Sequence, residues 1–298
     1  MQSTFVTTAL LPLALAIIML GLGLSLTPAD FKRILQFPRA VLVGLLCQML
    51  LLPAVAYAIA KGFELPGELA VGLMLLSASP GGPTANLFSH LARGDVALNI
   101  TLTATNSILS LFTMPFIVNL SLVAFMGEGK VLPLQFAKVV QVVLIVLLPV
   151  AIGMLVRAKK PAVALGLDKP VRILSSVFLV LVIAATALHE RDRLLEYFQQ
   201  VGAPALLFNL ASLAVGYVVP RLLRVPERQA VAIGMEIGIH NGTLAIAIAL
   251  SPLLLDNPTM AIAPAIYSLI MFFTAAAFGT WAARKLTGPA SVDSRPEQ

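Results

Sequence analysis

Charge is scarce in this sequence. Of its 298 residues only 11% are charged, whereas 59% are hydrophobic and the mean hydropathy is +0.95. A soluble domain carries about 25% charged residues. Charge this sparse cannot cover the surface of a soluble globule, so we expect most of the surface to face lipid.

Cysteine is scarcer still, and aromatic residues are few. The single cysteine, Cys47, excludes an internal disulfide and a thiolate metal cluster. The net charge of +6 would suit a nucleic-acid partner, but the basic residues form short clusters between apolar runs, as in membrane proteins. The aromatic residues, 7% of the chain, are too scattered to form a base-stacking surface. These features exclude nucleic-acid binding.

Apolar runs of membrane-spanning length fill the chain. A spanning helix needs about 20 apolar residues, and nine segments qualify. They cover about residues 5–26, 40–60, 69–91, 96–124, 134–156, 173–188, 203–219, 229–253 and 260–283. The first is interpreted as a helix and not as a signal peptide, because it lacks a basic start and is long enough to span. The sequence therefore predicts an all-α polytopic membrane protein of about nine transmembrane helices, with no separate catalytic domain.

Lysine and arginine are distributed unevenly between alternate loops. With the N-terminus outside, 15 lie on the inner side and 5 on the outer side. The outer ones are Lys61, Lys130, Lys138, Arg191 and Arg193. Because cytoplasmic loops carry the excess of Lys and Arg, we predict a multi-pass protein of the cell (inner) membrane with its N-terminus outside and its C-terminus in the cytoplasm.

The chain contains a weak internal repeat at an offset of 160 residues. Residues 53–82 then lie against residues 213–242, with seven identities in 30 positions and no gap. The matched helices are the second with the seventh and the third with the eighth. Because this offset is five spans, the two copies must cross the membrane in opposite directions. Such inverted repeats are typical of secondary transporters, which bind substrate and ions where the repeats meet.

Two helix-breaking stretches occupy equivalent places in the repeat. The third helix is interrupted by SPGGPTAN at residues 79–86, and the eighth by EIGIHNGT at residues 236–243. Proline lacks an N–H group and cannot continue the first helix. Of 14 acidic residues, only Glu236 is predicted near the membrane centre, where no Lys or Arg lies. A charge there costs about 2.5–3.5 kcal/mol, so a bound cation or a proton is the expected partner.

The sequence resembles the bile acid:sodium symporter family. The resemblance runs from MLGLGLSLTPADF through SASPGGPTANLFSHLARGDVALN to GMEIGIHNGTLAIAIA, nearly the whole chain. It implies one transmembrane unit, with panel and core domains and two crossing broken helices. The implied unit is 1–298, with the panel at about 1–38 and 134–190, the core at about 39–133 and 203–285, and a cytoplasmic tail at 286–298.

The resemblance also implies two sodium sites beside the broken helices. The first would be formed by Ala85, Asn86, Asn99, Thr103 and Glu236. The second would be formed by Gln48, Glu236, Ile237, Ile239 and His240, with the isoleucines offering main-chain carbonyls. Family members often carry Ser at positions 85 and 99 and Gln at position 240. His240 therefore brings nitrogen to a site for an ion that prefers oxygen.

The function implied is sodium-coupled uptake of an organic anion by alternating access, with Na⁺ as the coupling ion. The half-helices starting near Thr84 and Thr243 would direct the positive ends of their dipoles at the substrate. Asn241 would be a further substrate-binding residue. The substrate would be bile acid-like, or a small carboxylate such as pantoate or a keto acid. The expected partners are this anion, sodium and the lipid bilayer; no obligate protein partner is evident.

The sequence bears on three alternatives to sodium-coupled symport. Proton-coupled anion transport stays open through His240. A sodium/proton exchanger usually has more than one buried ionisable group at the crossing, whereas one acid is predicted here. An intramembrane enzyme needs a nucleophile with its base, or a third metal ligand beside Glu236 and His240, and neither is visible. The sequence therefore predicts a transporter and not an enzyme.

Overall fold

The computed structural model describes residues 11–127, 136–167 and 194–287, together with a few residues between 169 and 181. Within this part the chain is helical, and its one β-type contact is an isolated antiparallel bridge. The helices are α1 (Leu11–Ser25), α2 (Pro28–Lys32), α3 (Pro38–Leu46), α4 (Leu52–Gly62), α5 (Gly67–Ala78), α6 (Pro83–Leu91), α7 (Val96–Met126), α8 (Phe136–Lys159), α9 (161–167), α10 (Leu194–Leu222), α11 (Glu227–Gly238), α12 (Gly242–Leu250) and α13 (Ile262–Thr287). The all-α prediction is confirmed.

Within the described residues, four continuous helical segments are long and apolar enough to cross a membrane. They are Pro38–Gly62, Val96–Met126, Leu195–Leu222 and Thr259–Thr287. They correspond to the predicted second, fourth, seventh and ninth helices. The predicted first and fifth helices contain α1 and α8, while most of the predicted sixth (173–188) lies outside the described residues. The chain is a multi-pass membrane protein, and the total of nine helices stays a prediction.

The surface of α7 has the character expected for lipid contact. Phe112, Phe116 and Leu120 follow each other at helical spacing and are 60%, 61% and 53% exposed. The opposite face of the same helix buries polar residues, among them Asn99 and Thr103. A helix that is apolar outside and polar inside directs its hydrogen-bonding groups toward the interior of the bundle, as membrane helices with functional polar residues do.

Helices α1 and α8 pack closely through glycine. A Cβ atom on Gly23 would lie 2.2 Å from the carbonyl oxygen of Val150, and one on Gly153 would lie 2.5 Å from that of Leu20. Small residues allow membrane helices to approach at backbone distance. Both helices belong to the predicted panel domain. The division into panel and core domains itself stays a prediction.

The two predicted interruptions are present. Helix α5 ends at Ala78 and α6 begins at Pro83, whereas α11 ends at Gly238 and α12 begins at Gly242. The backbone groups released by the breaks bind each other. The Gly82 N–H donates to the Ile239 carbonyl at 3.3 Å, and the Asn241 N–H donates to the Pro80 carbonyl at 2.8 Å. Because lipid offers no hydrogen bonds, such pairing stabilises open backbone inside the bundle.

The backbone repeats at the offset found in the sequence. Gly67–Ala78 and Glu227–Gly238 differ by 160 at both ends (67 and 227, 78 and 238). Each is preceded by a proline N-cap, with φ and ψ of −50° and 141° in one copy and −52° and 145° in the other. The turns before them place Glu64 and Arg224, again 160 apart, at φ of 51° and 56°. The opposite membrane directions of the copies stay a prediction.

Candidate ion-binding site at the crossing of the broken helices

Glu236 lies in the last turn of α11 and is fully buried. Its carboxylate accepts hydrogen bonds from neutral donors. Thr103 Oγ1 lies 2.6 Å from Oε2, Asn106 Nδ2 lies 3.3 Å from Oε1, and the backbone of Gly81 approaches the carboxylate closely. In the described part of the chain no Lys or Arg forms an ion pair with it. The Glu236 charge is therefore stabilised by neutral hydrogen-bond donors, and a bound cation could pair with it as well.

The position of Gly81 in the first break requires glycine, because the Glu236 carboxylate occupies the space of a side chain. A Cβ atom there would lie 2.4 Å from Glu236 Cδ and 2.4–2.5 Å from both carboxylate oxygens. Only a residue without a side chain lets the backbone approach the carboxylate this closely. The break in one repeat copy thus binds the acid of the other copy.

Of the residues predicted for the first sodium site, Thr103 of α7 contacts Glu236, Asn99 binds α11 one turn earlier, and Ala85 and Asn86 lie in α6. Thr103 donates to Glu236 and also lies 3.0 Å from the Asn99 carbonyl. Asn99 Nδ2 donates to the Ala232 carbonyl, one turn before Glu236, at 2.6 Å. The Oδ1 atoms of Asn99 and Asn86 are buried and have no hydrogen-bond partner among the residues that the structure describes. Ala85 is buried and offers only its backbone.

Two of the residues predicted for the second site, Gln48 and His240, contact the carbonyl of Ser79, the C-cap residue of α5. Gln48 lies in a single π-helical turn, Cys47–Leu51, between α3 and α4. Its Nε2 donates to the Ser77 and Ser79 carbonyls at 3.1 and 2.9 Å, and its Oε1 is buried without a partner. His240 Nδ1 lies 3.1 Å from the same Ser79 oxygen.

The two isoleucines of the predicted second site are both fully buried. The Ile239 carbonyl already accepts the Gly82 N–H. The Ile237 carbonyl belongs to the last turn of α11, where carbonyls lack helical partners. The structure thus leaves Ile237 better suited than Ile239 to bind a cation.

His240 is held as a brace between the two breaks. Because a carbonyl can only accept, the proton must be on Nδ1, which donates to Ser79. Nε2 then carries a lone pair, and it is buried without a partner. The ring stacks on Phe208 at 5.7 Å and meets the edge of Tyr267 at 5.4 Å. One ring nitrogen thus joins the breaks, and the other is free to bind a ligand.

The predicted substrate residues lie at the starts of the second half-helices. Thr84 and Thr243 are the second residues of α6 and α12, and both are partly buried. Asn241 Oδ1 accepts the Leu244 N–H at 3.0 Å and so caps α12. Its oxygen is therefore used within the protein, and its role toward a substrate stays a prediction.

Comparison with known proteins identifies the family. The family model described as "Sodium Bile acid symporter family" matches residues 12–197. The chain belongs to this family. Its members are transporters and not enzymes, as the sequence predicted.

Relatives come from bacteria, plants and animals. "Uncharacterized sodium-dependent transporter YocS" of Bacillus subtilis is 28% identical over 91% of this chain and 82% of its own length. "Probable sodium/metabolite cotransporter BASS2, chloroplastic" of rice is 28% identical over 90% of this chain and 62% of its own. Human "Sodium/bile acid cotransporter 4" is 30% identical over 79% of this chain and 54% of its own. The chain thus spans less than two thirds of the plant and human relatives.

The resemblance to this symporter family did not reveal every residue at the crossing. Asn106 binds Glu236 directly but was not among the predicted ligands. Its position carries a signal, because Asn99, Thr103 and Asn106 are spaced by four and three residues and so share one face of α7. Once Asn99 and Thr103 are assigned to a site, this spacing adds Asn106.

Proposed function

We propose that the chain is a sodium-coupled symporter that imports an organic anion by alternating access. The observation that carries the proposal is the pairing of the Glu236 carboxylate with neutral donors only, beside buried amide oxygens that have no partner. A buried oxygen without a partner is costly and calls for a ligand. Oxygen is also what hard cations prefer. The sodium-dependent relatives support the same ion.

Two ions would share Glu236. The first would use the side chains of Asn86, Asn99 and Thr103 with the backbone of Ala85. The second would use Gln48, Ile237 and the region of Ile239 and His240. On binding an ion, the Thr103 hydroxyl could donate to the Asn99 carbonyl, which lies 3.0 Å away, and leave its lone pair for sodium. Neutralising Glu236 and tying it to the opposite break would favour one arrangement of core against panel.

The substrate would be an organic anion whose acidic group meets the starts of α6 and α12. Partial positive charge at helix N-termini attracts anions, and Asn241 Nδ2 would add a donor. Candidates are bile acid-like molecules and small carboxylates such as pantoate or keto acids. The names of the human and rice relatives, a bile acid cotransporter and a metabolite cotransporter, are compatible with both groups. An inward sodium gradient across the cell membrane would drive this transport inward.

A proton is the second candidate for the coupling ion, because His240 Nε2 carries a buried lone pair without a partner. Uptake of labelled anions into proteoliposomes separates the two ions. With an inward sodium gradient and equal pH on both sides, sodium symport gives concentrative uptake that potassium cannot replace. Uptake driven by an inward proton gradient without sodium would instead assign coupling to the proton. If neither gradient drives concentrative uptake, symport is refuted.

A further inference from the structure

Asn106 is a buried polar residue at the crossing whose hydrogen bonding is incomplete. It lies in α7, is 1% exposed, and donates its Nδ2 group to Glu236 Oε1 at 3.3 Å. Its Oδ1 is buried and has no hydrogen-bond donor among the described residues. A buried amide oxygen without a donor is unfavourable unless a ligand binds it. Because the amide nitrogen donates to Glu236, the oxygen is the group of this side chain that is left for a ligand.

Asn106 and Gln48 line the same crevice. This crevice is too narrow to admit a water molecule and lies between the π-helical turn, the first break and α7. Its lining residues are Gln48, Met49, Ala78, Pro80, Asn106, Ser110, Thr113 and Ile117. None of them is basic. The Gln48 amide nitrogen is used by two carbonyls, so its free group is also an oxygen.

The geometry points to Asn106 as a ligand of the coupling ion in the second sodium site. Asn106 Oδ1, Gln48 Oε1 and the Glu236 carboxylate would supply three oxygen ligands. The His240 side chain cannot provide an oxygen ligand, because its Nδ1 donates to Ser79 and its second polar atom, Nε2, is also a nitrogen. Asn106 would supply the missing oxygen. This assignment rests on the proposed sodium coupling and extends it to a residue outside the predicted set.

The test is the sodium dependence of thermal unfolding of the purified full chain. Sodium chloride replaces choline chloride at constant ionic strength, and the melting temperature is recorded at each sodium concentration. The variants are Asn106→Leu, which has similar volume and no oxygen, and Ser110→Ala. Ser110 lines the same crevice, but its hydroxyl donates to the Ser107 carbonyl, so it serves as the matched control.

We expect Asn106→Leu to raise the half-saturating sodium concentration about 10-fold to 100-fold, as for a lost ligand of a charged group. Ser110→Ala should keep the value of the wild type. His240→Gln added to Asn106→Leu should restore much of the affinity, because Gln supplies an oxygen near the same place. A purely structural role of Asn106 would lower the melting temperature at every sodium concentration without moving the half-saturation point.

The outcomes separate two failures. If the wild type shows no sodium-specific stabilisation, the proposed sodium coupling is wrong, and the assignment of Asn106 falls with it. If wild type and Asn106→Leu respond at the same sodium concentration, sodium coupling stands and the assignment of Asn106 is overturned. Should Asn106→Leu not accumulate as folded protein, Asn106→Ala is compared in its place, with the same expected shift and the same refuting result.

Discussion

Alanine substitutions at the two adjacent glycines of the first break should have opposite effects on the Glu236 carboxylate. A Cβ atom at Gly81 would lie 2.4 Å from Glu236 Cδ, a distance at which something must move. At Gly82 the nearest atoms lie 3.5 and 4.0 Å away, which is ordinary contact, and its φ of −105° suits any residue. Gly81→Ala should therefore displace the carboxylate, whereas Gly82→Ala should leave it in place.

The magnitude follows from two losses. Forcing an extra carbon into a packed site costs about 1–3 kcal/mol. Displacing the carboxylate also weakens its 2.6 Å hydrogen bond from Thr103, and a hydrogen bond to a charged group is worth about 1.5–3 kcal/mol. If the ion site loses only about 1 kcal/mol, the lowest of these values, its sodium affinity falls about 5-fold. If parts of both losses add up at the ion site, the affinity falls by more than about 100-fold.

The assay is sodium-driven uptake into proteoliposomes at a series of sodium concentrations, with folding followed by thermal unfolding. Gly81→Ala should require far more sodium for half-maximal uptake, and Gly82→Ala should match the wild type. Shortening the acid in the double variant Gly81→Ala, Glu236→Asp should recover part of the loss, because it removes one carbon from the clash. Wild-type sodium dependence in Gly81→Ala would refute the assignment of Glu236 as the shared ligand.

Three further predictions concern single side chains. Glu236→Gln should abolish concentrative uptake while the protein still folds, because it removes the buried charge but keeps the shape; accumulation against a gradient in this variant contradicts the proposal. Asn86→Ala should reduce sodium stabilisation of the melting temperature, with potassium ineffective in both proteins, and an unchanged sodium response would remove Asn86 from the first site. His240→Gln should keep the bond to Ser79 through its amide nitrogen, add an oxygen ligand, and so lower the sodium concentration for half-maximal uptake. If acid-stimulated uptake is present in the wild type and lost in His240→Gln, the proton is the coupling ion instead.

The helices and their interruptions could be predicted because their causes are local. Apolar runs of spanning length predict helices, and the Pro and Gly residues of SPGGPTAN act on the backbone beside them. The predicted spans 69–91 and 229–253 correspond to α5 with α6 (residues 67–91) and α11 with α12 (residues 227–250). The burial of Glu236 also followed from the sequence, because it is an isolated acid within a long apolar stretch.

The partners of these groups could not be predicted, because they come from distant parts of the chain. Thr103 and Asn106 are 133 and 130 residues from Glu236, and Gln48 is 31 residues from the Ser79 carbonyl. Helical spacing places side chains on a face but does not say which helix lies opposite. The use of Gly81 as space for a carboxylate likewise depends on α11, not on its own sequence neighbours.

The repeat has a symmetric backbone and an asymmetric site. At the offset of 160 residues, Glu236 corresponds to Leu76 and Gln48 to Phe208, and both counterparts are fully buried and apolar. The charge thus exists in one copy only, yet the Gly81 backbone of the other copy lies directly against it. An ion that binds Glu236 must therefore change the contact between the copies, and not only the local charge. Since a ligand shifts a conformational equilibrium only through contacts that differ between the states, this shared contact is where ion binding can be converted into movement.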